Sequence, residues 1–527
     1  MNRSVTLRSI GLRWFIVAPM LLYGCASLPP GSGAPKRLSY AYAHPEETLL
    51  GKQFGRDARR HAGDSGFFLI NNGTDGLLTR LELVRKAQQT LDLQYYIFRG
   101  DNSGLQLADA LLRAADRGVR IRILVDDGDT EARDDQLKRL ALHPNIRMRV
   151  FNPFDYRGHS SLFRAIEFAL DKGRLDYRMH NKLFIADNAA ALIGGRNIGD
   201  AYFQMSPLSQ LGDDDLFTVG PMVKQLSGTF DQFWNSPLAV PVEKLSDENP
   251  DADSLAFFRK KLEKSCKRCD AERAEGEPLE SLISGRSRLI WAPARLVYDS
   301  PEKKLVEDGK MAGHLMHRVV ERRLADVRHE LLLVSPFFVP GRDGMAQFKA
   351  MRARNVDIRI LTNSLNSTHV LIAQSGYMHY RLTLLEEGVH LFEIKAALGS
   401  SLGSGEGGKM LRYGAFGLHG KMWVLDRKSV YIGSMNLDER SERLNTEIGL
   451  IIDSPELARQ VARRFEDLTR PDNAYRVLLS YKNGRPGLVW QTREDGKIVD
   501  YGTEPASSEW RKLEVDLMTH LDVDGEL

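Results

Sequence analysis

The feature that most constrains this chain is an internal duplication. Leu91-Asp92-Leu93-Gln94-Tyr95-Tyr96-Ile97-Phe98 alternates and is rich in β-forming residues, so it reads as a strand. A helix follows, with Leu107, Ala108, Leu111, Leu112 and Ala115 on one face and Gly118 as its stop. Val119-Arg120-Ile121-Arg122-Ile123-Leu124-Val125 is the next strand. Residues 331–338, a helical stretch near 341–354 and residues 356–361 run the same programme again. Each copy is a βαβ unit, which favours a parallel sheet covered by helices. From the first strand to a shared histidine the distance is 89 residues in one copy (Leu91 to His180) and 88 in the other (Leu331 to His419). A length of 527 residues is what two ordinary domains require.

The chemistry sits at equivalent places in the copies. His180-Asn181-Lys182 leads to Asp187, and His419-Gly420-Lys421 leads to Asp426, both within apolar, β-prone runs. On a strand, His and Lys two apart project from one face. An ammonium beside an imidazole suits phosphate: the lysine neutralises its oxygens while the imidazole attacks phosphorus or moves a proton. The aspartates, at an odd offset, are expected to support the fold near the site rather than act on substrate. Each motif is followed by small residues and an asparagine, Gly194-Gly195-Arg196-Asn197 and Gly433-Ser434-Met435-Asn436. The small residues are expected to let backbone approach a ligand, and the Asn197 and Asn436 amides to donate to phosphate oxygens. Asp213 and Glu447 each stand eight residues before a proline, Pro221 and Pro455. A carboxylate on the distal ring nitrogen would orient each histidine, with Asp215 as the alternative in the first half. One His-x-Lys-x4-Asp match arises by chance in about a few of every hundred such chains, so a single motif would be weak. Two at equivalent positions of a duplicated unit are not.

These residues closely resemble the phospholipase D superfamily, and within it the bacterial two-motif cardiolipin synthase branch. Leu91–Phe98, Tyr177–Phe203, the second-half strands and motif, and Leu444-Asn445-Thr446-Glu447 carry the resemblance, which spans most of residues 65–520. It implies an α/β fold of two duplicated α/β/α sandwich domains with mixed, largely parallel sheets packed as a pseudo-twofold pair. It also implies a two-step displacement that needs no metal and no cofactor. His180 would be the nucleophile that forms a phosphatidyl-histidine, and His419 the acid that protonates the departing alcohol. Lys182, Lys421, Asn197 and Asn436 would stabilise charge on the phosphate. The expected partners are phospholipid substrates and a membrane surface. A glycerol hydroxyl as acceptor gives cardiolipin from phosphatidylglycerol and a second phospholipid, phosphatidylethanolamine or phosphatidylglycerol. Water gives phosphatidic acid, and the motifs alone do not choose between these acceptors.

Composition and the N-terminus bear on compartment and partner. Arg3, Arg8 and Arg13 precede the apolar run 14–22 and Leu22-Tyr23-Gly24-Cys25, the pattern of a lipoprotein-type export signal. Removing residues 1–24 leaves 70 basic against 70 acidic residues. A near-neutral exported chain does not favour nucleic acid, which argues against a nuclease of the same superfamily. Lipidation at Cys25, with Ala26 behind it, would place the protein at the outer membrane facing the periplasm, the inner membrane being the alternative. With no second span and no strongly basic amphipathic helix evident, that anchor is expected to hold the site near lipid. Cys266-x2-Cys269 lacks a second ligand pair and suits a small disulfide better than zinc. The expected segments are the signal 1–24, a tether 25–64, a first domain 65–241, a polar linker or insertion 242–285, a second domain 286–475 and a β appendage 476–527. A Gly/Ser-rich loop, Gly399–Gly408, is expected at the rim of the site.

Overall fold

The computed structural model describes Gly33 and residues 36–128, 134–158, 160–245, 252–266, 278–398, 415–505 and 509–519. The signal segment, Cys25, Cys269 and the Gly399–Gly408 loop lie outside the described residues.

In chain order the strands of the first sheet are β1 (Ser65–Ile70), β2 (Thr90–Tyr95), β3 (Arg120–Asp126), β4 (Ile146–Phe151), β5 (Leu183–Ala186) and β6 (Ala190–Gly194). After β7 (Ser209–Gly212) come β8 (Asp215–Val219), β9 (Ala239–Pro241) and β10 (Ile290–Ala292). The second sheet begins with β11 (Ala294–Tyr298), β12 (Glu330–Val334), β13 (Asp357–Asn363) and β14 (His390–Ile394). It continues past β15 (Ala415–Leu418) with β16 (Met422–Leu425), β17 (Ser429–Gly433), β18 (Ile448–Asp453), β19 (Ala474–Lys482), β20 (Arg485–Glu494) and β21 (Lys497–Tyr501). The strand orders are β10-β1-β8-β6-β5-β2-β3-β4-β9 and β11-β18-β17-β16-β12-β13-β14-β19-β20-β21, while β7 and β15 pair with each other.

The duplication is plain in these orders, since β8-β6-β5-β2-β3-β4 and β18-β17-β16-β12-β13-β14 are the same arrangement. Both sheets are mixed, but less parallel than expected. Only β2, β3 and β4, and likewise β12, β13 and β14, run parallel. The βαβ pattern reveals the first two of each three, β2–β3 and β12–β13, and the motif strands return through antiparallel hairpins. In β5–β6 and β16–β17 the turn residues Asp187, Asn188, Asp426 and Arg427 all take φ between 51° and 54°, the left-handed conformation that turns a strand straight back.

Successive residues of a strand face opposite ways, and here both faces are buried. Phe184 and Ala186 enter an outer core of the first half, while Leu183 and Ile185 enter a second core shared with the other half. Met422 and Val424 reach that shared core from the opposite side, and Trp423 and Leu425 face the outer core of the second half. Phe230, Phe233 and Trp234 of the Pro221–Asn235 helix and Val461, Phe465 and Leu468 of the Pro455–Leu468 helix fill the space between. Joining the halves is therefore driven by ordinary apolar burial.

Three expected boundaries shift. β10 pairs with β1, so Ile290–Ala292 belongs to the first sheet. Of the stretch 242–285, expected as a linker or insertion, the described residues pack as an insertion on the first half: the Ala252–Cys266 helix buries Phe258 and Leu262 in the first core, and Leu279 and Leu282 follow from the next helix. The C-terminal strands form no separate appendage, because β19 pairs with β14 and extends the second sheet. Asn483-Gly484 and Asp495-Gly496 are the expected tight turns, all four residues having positive φ.

Candidate active site

The motif histidines and lysines do not lie on strands. They occupy short extended gaps, 180–182 before β5 and 419–421 between β15 and β16. Each gap is held by backbone from the opposite half. The His180 N–H donates to the Thr446 carbonyl at 2.9 Å, and the Thr446 N–H donates to the Arg178 carbonyl at 2.9 Å. In the mirror arrangement β15 pairs with β7, and the N–H groups of His419 and Gly420 donate to the Gly212 carbonyl at 2.7 and 2.9 Å. Thr446 precedes Glu447 and Gly212 precedes Asp213, so these pairings carry each orienting carboxylate across to the other half's histidine.

His180 Nδ1 stands 3.0 Å from both oxygens of Glu447, and His419 Nδ1 stands 2.5 Å from Asp213 Oδ2. A proton on each Nδ1, donated to its carboxylate, leaves Nε2 for chemistry. Asp215 takes no part in this: it is buried between the Arg80 and Arg196 guanidiniums at 2.8 and 2.9 Å. The lysine of each motif folds back on its histidine. Lys182 Nζ donates to the His180 carbonyl at 2.7 Å and Lys421 Nζ to the His419 carbonyl at 2.5 Å. All four side chains are buried.

The small residues after each motif make room for the segments that carry the carboxylates. A Cβ on Gly195 would stand 2.5 Å from Asp213 Oδ1, and one on Gly433 would stand 2.5 Å from the Ile448 carbonyl. Ser434, at the position of Gly195 in the other copy, instead donates its hydroxyl to Glu447 Oε2. The two asparagines are not equivalent. Asn197 accepts from the Ile97 N–H at 3.2 Å and donates to the Tyr202 hydroxyl at 3.0 Å, whereas Asn436 Oδ1 is buried with no hydrogen-bond partner.

Asp187 and Asp426 lie outside the site. Asp187 accepts the N–H groups of Gln88, Gln89 and Thr90 at 2.8–3.2 Å. Asp426 accepts those of Arg328, His329 and Glu330 at 2.7–3.2 Å. Each pins a motif hairpin to the start of the adjacent central strand.

Electrostatics breaks the near symmetry. Burial alone would raise Asp213, but His419, Lys421 and Arg196 outweigh it and hold the carboxyl well below its usual range. Glu447 is pushed up to about 7 by burial, against the opposing pull of Lys182 and Lys303. His419 therefore faces a firm anion, and His180 a carboxyl that titrates near neutrality. Burial and the surrounding cations push both imidazoles down, with Lys182 foremost at His180 and Lys421 at His419. Burial also lowers both lysines, Lys421 to about 8. Charge on each site fragment is costly until an anion arrives.

Several wall residues carry no sequence signal of their own. Tyr96 presents its edge to His180 at 5.2 Å between ring centroids, and Tyr202 does so to His419 at 5.1 Å. The His369 ring lies 6.4 Å from that of His419 and is lowered to about 4 by burial, Lys421 and Arg99. None belongs to a repeated spacing, so only the folded chain reveals them. Among the described residues one cluster has metal-ligand geometry, His317, Glu321 and Glu442, and it contains no motif residue.

The chain matches the family described as "Cardiolipin synthase, PLD-like domain" over residues 81–234 and 320–469. It is 37% identical to cardiolipin synthase C of Escherichia coli (strain K12) over 472 residues, 88% of this chain and 97% of that one. To cardiolipin synthase A of Pseudomonas syringae pv. syringae (strain B728a) it is 25% identical over 396 residues, 75% of this chain and 66% of that one. Among solved structures, the phosphatidylserine synthase of Haemophilus influenzae Rd KW20 shares the fold, with a TM-score of 0.55 and 13% identity over 90% of this chain and 99% of that one.

Proposed function

Since the chain belongs to the cardiolipin synthase family of phospholipase D-like proteins, we propose that it makes cardiolipin by moving a phosphatidyl group from one phospholipid to the glycerol hydroxyl of phosphatidylglycerol. The donor is phosphatidylethanolamine or a second phosphatidylglycerol. What carries this reading is the crossed pair His180–Glu447 and His419–Asp213, two oriented imidazoles that each feel the ammonium groups of both Lys182 and Lys421.

In the first step His180 Nε2 attacks phosphorus, forming an N–P bond as the P–O bond to the donor's alcohol breaks. Protonated His419 gives its proton to that leaving oxygen. At His419 the ionised Asp213 opposes the downward push of burial and Lys421 and so favours the imidazolium form, while burial, Lys182 and Lys421 keep His180 the unprotonated nucleophile. In the second step the acceptor hydroxyl attacks phosphorus, His419 takes its proton, and the N–P bond breaks to restore His180. Lys182, Lys421, Asn197 and Asn436 offset charge on the non-bridging oxygens. An anionic phosphodiester also relieves the mutual repulsion of the two buried ammonium groups.

The export signal and Cys25 support a mature protein held by lipid at the outer membrane and facing the periplasm. The reading is tested by incubating the protein with phosphatidylglycerol vesicles, with and without phosphatidylethanolamine, and analysing the lipid products. Cardiolipin is expected, and His180→Ala and His419→Ala are each expected to abolish it. Near-wild-type turnover in either variant would sink the mechanism, and phosphatidic acid as sole product would make the enzyme a hydrolase.

A further inference from the structure

No helix among the described residues is long and apolar enough to cross a membrane, yet one ten-residue helix, Ser161–Leu170, is turned inside out. Four of its five large apolar residues face solvent, Leu162 being 66% exposed, Phe163 56%, Ile166 45% and Leu170 82%, while Phe168 is half-buried. Its polar residues face the protein. The Arg164 guanidinium donates to the Asp127 carbonyl at 2.7 Å and lies over the Phe154 ring at 4.0 Å. The Glu167 carboxylate accepts the N–H groups of Asp155 and Tyr156 at 2.6 and 2.9 Å. None of the helix's residues is fully buried. A surface helix of a soluble domain normally buries its apolar stripe, and the reverse arrangement marks a surface that meets something apolar.

The position of this helix narrows what that is. Leu183, next to the motif, pairs with Gln94 near the C-terminal end of β2, and β3 and β4 run parallel to β2. The helix follows β4, so it projects from the end of the sheet that carries His180. The segment that leads into the helix is also tied to the one that leads on to the histidine. Asn152 Nδ2 donates to the carbonyls of Arg174 and Tyr177 at 2.8 Å, and Arg178 Nη2 returns a bond to the Asn152 carbonyl at 2.9 Å. Leu208, 82% exposed, projects from the loop after β6, whose end is the same. At the C-terminal end of the helix stand Lys172 and Lys304, whose Nζ donates to the Gly173 carbonyl at 2.7 Å. These are cations of the sign that anionic headgroups attract.

We propose that the Ser161–Leu170 helix is a membrane-docking device whose outward apolar face enters the headgroup boundary of a phospholipid bilayer beside His180, so that substrate passes from the bilayer to the site without crossing water. This rests on the lipid-transfer reading for its purpose, but the docking itself is measured without turnover. The helix lies along the surface rather than spanning it, a mode that needs only one apolar face a few ångströms deep.

Hydrogen–deuterium exchange on the full chain, with and without vesicles of phosphatidylglycerol and phosphatidylethanolamine, reads the contact directly. Amides of residues 161–170 are expected to slow severalfold on adding vesicles. Unchanged exchange overturns the proposal. So does protection that appears without lipid as protein concentration rises, which would assign the face to a second copy. A second measurement uses Phe163→Glu/Leu170→Glu, whose exposed positions leave the core intact. Turnover of phosphatidylglycerol in vesicles is expected to fall about tenfold or more, while turnover of a monomeric short-chain phosphatidylglycerol stays at the wild-type level. Equal turnover of vesicle lipid by variant and wild type overturns the proposal. Wild-type protein that turns over neither lipid would count against lipid transfer alone, and the exchange result would still decide the docking.

Discussion

The carboxylate of Glu447 holds the imidazole of His180 at 3.0 Å through both of its oxygens, across 267 residues of sequence. The reciprocal contact, Asp213 to His419, spans 206 residues in the other direction. Neither half therefore contains a complete histidine–carboxylate pair, and each depends on the other for the orientation of its own reacting group.

Asp213→Asn tests the firmer of the two pairs. An amide neither stabilises the His419 imidazolium nor enforces its tautomer, so kcat for cardiolipin formation is expected to fall roughly 10²–10⁴-fold. The loss should be larger than in Glu447→Gln, because Glu447 is only partly ionised near neutrality. Steady-state assays of the two variants side by side check this. A larger loss in Glu447→Gln would reverse the assignment of roles to the histidines.

Glu447 also gives the stability of the protein a pH signature. Its pKa in the folded state, about 7, lies above the ordinary glutamate value of 4.5. Below pH about 4.5 the group is protonated in both states and imposes no penalty. Between there and about 7 the folded chain holds a proton that the unfolded chain has released, so stability falls as pH rises. Thermal melts across this window should show wild-type protein losing stability relative to Glu447→Gln. A flat difference between the two would contradict the raised value.

Asp187 is expected to matter for stability more than for chemistry. Asp187→Ala leaves three N–H groups without their acceptor, at a cost of roughly 2–4 kcal/mol. Asp426→Ala should cost less, since Asp426 is not fully buried and water replaces part of what is lost. Denaturant unfolding measures both. An Asp187→Ala protein of unchanged stability and no activity would place the side chain in the chemistry after all.

Gly195→Ala adds one methyl group, 2.5 Å from Asp213 Oδ1. The carboxylate that orients His419 must shift, and displacements of that kind cost on the order of 10²-fold in rate. Gly228→Ala, at a helical position with nothing within 4 Å, is the control and should be silent. Matching kcat values for the two variants would show that the packing of Gly195 on Asp213 has no bearing on catalysis.

The repeated spacing, the paired motifs and the supporting role of the motif aspartates were legible because each is a pattern within a single copy of the repeat. The identity of the orienting carboxylates was legible in the same way, from their matched distances to Pro221 and Pro455. Which carboxylate serves which histidine was not, since no spacing inside one copy reports on the other. The packing of Gly194-Gly195 was not legible for the same cause: their close neighbours, the Asp214 backbone and the Asp213 side chain, are brought in by folding. Tyr96, Tyr202 and His369 occur in no repeated pattern and were invisible.

What the sequence by itself determined is everything that period and repetition encode: two α/β units, a pair of parallel strands in each, and a His-Lys pair at the same place in both. The tertiary structure alone decided how the units are joined, because the apolar faces shared between the sheets could be buried in many registers and only the packed one swaps Asp213 and Glu447 between halves. The Ser161–Leu170 helix follows the same logic. Its apolar residues stand in the sequence for anyone to count, but whether such a stripe is buried or left facing outward depends on what surrounds it, and that is a property of the assembled fold.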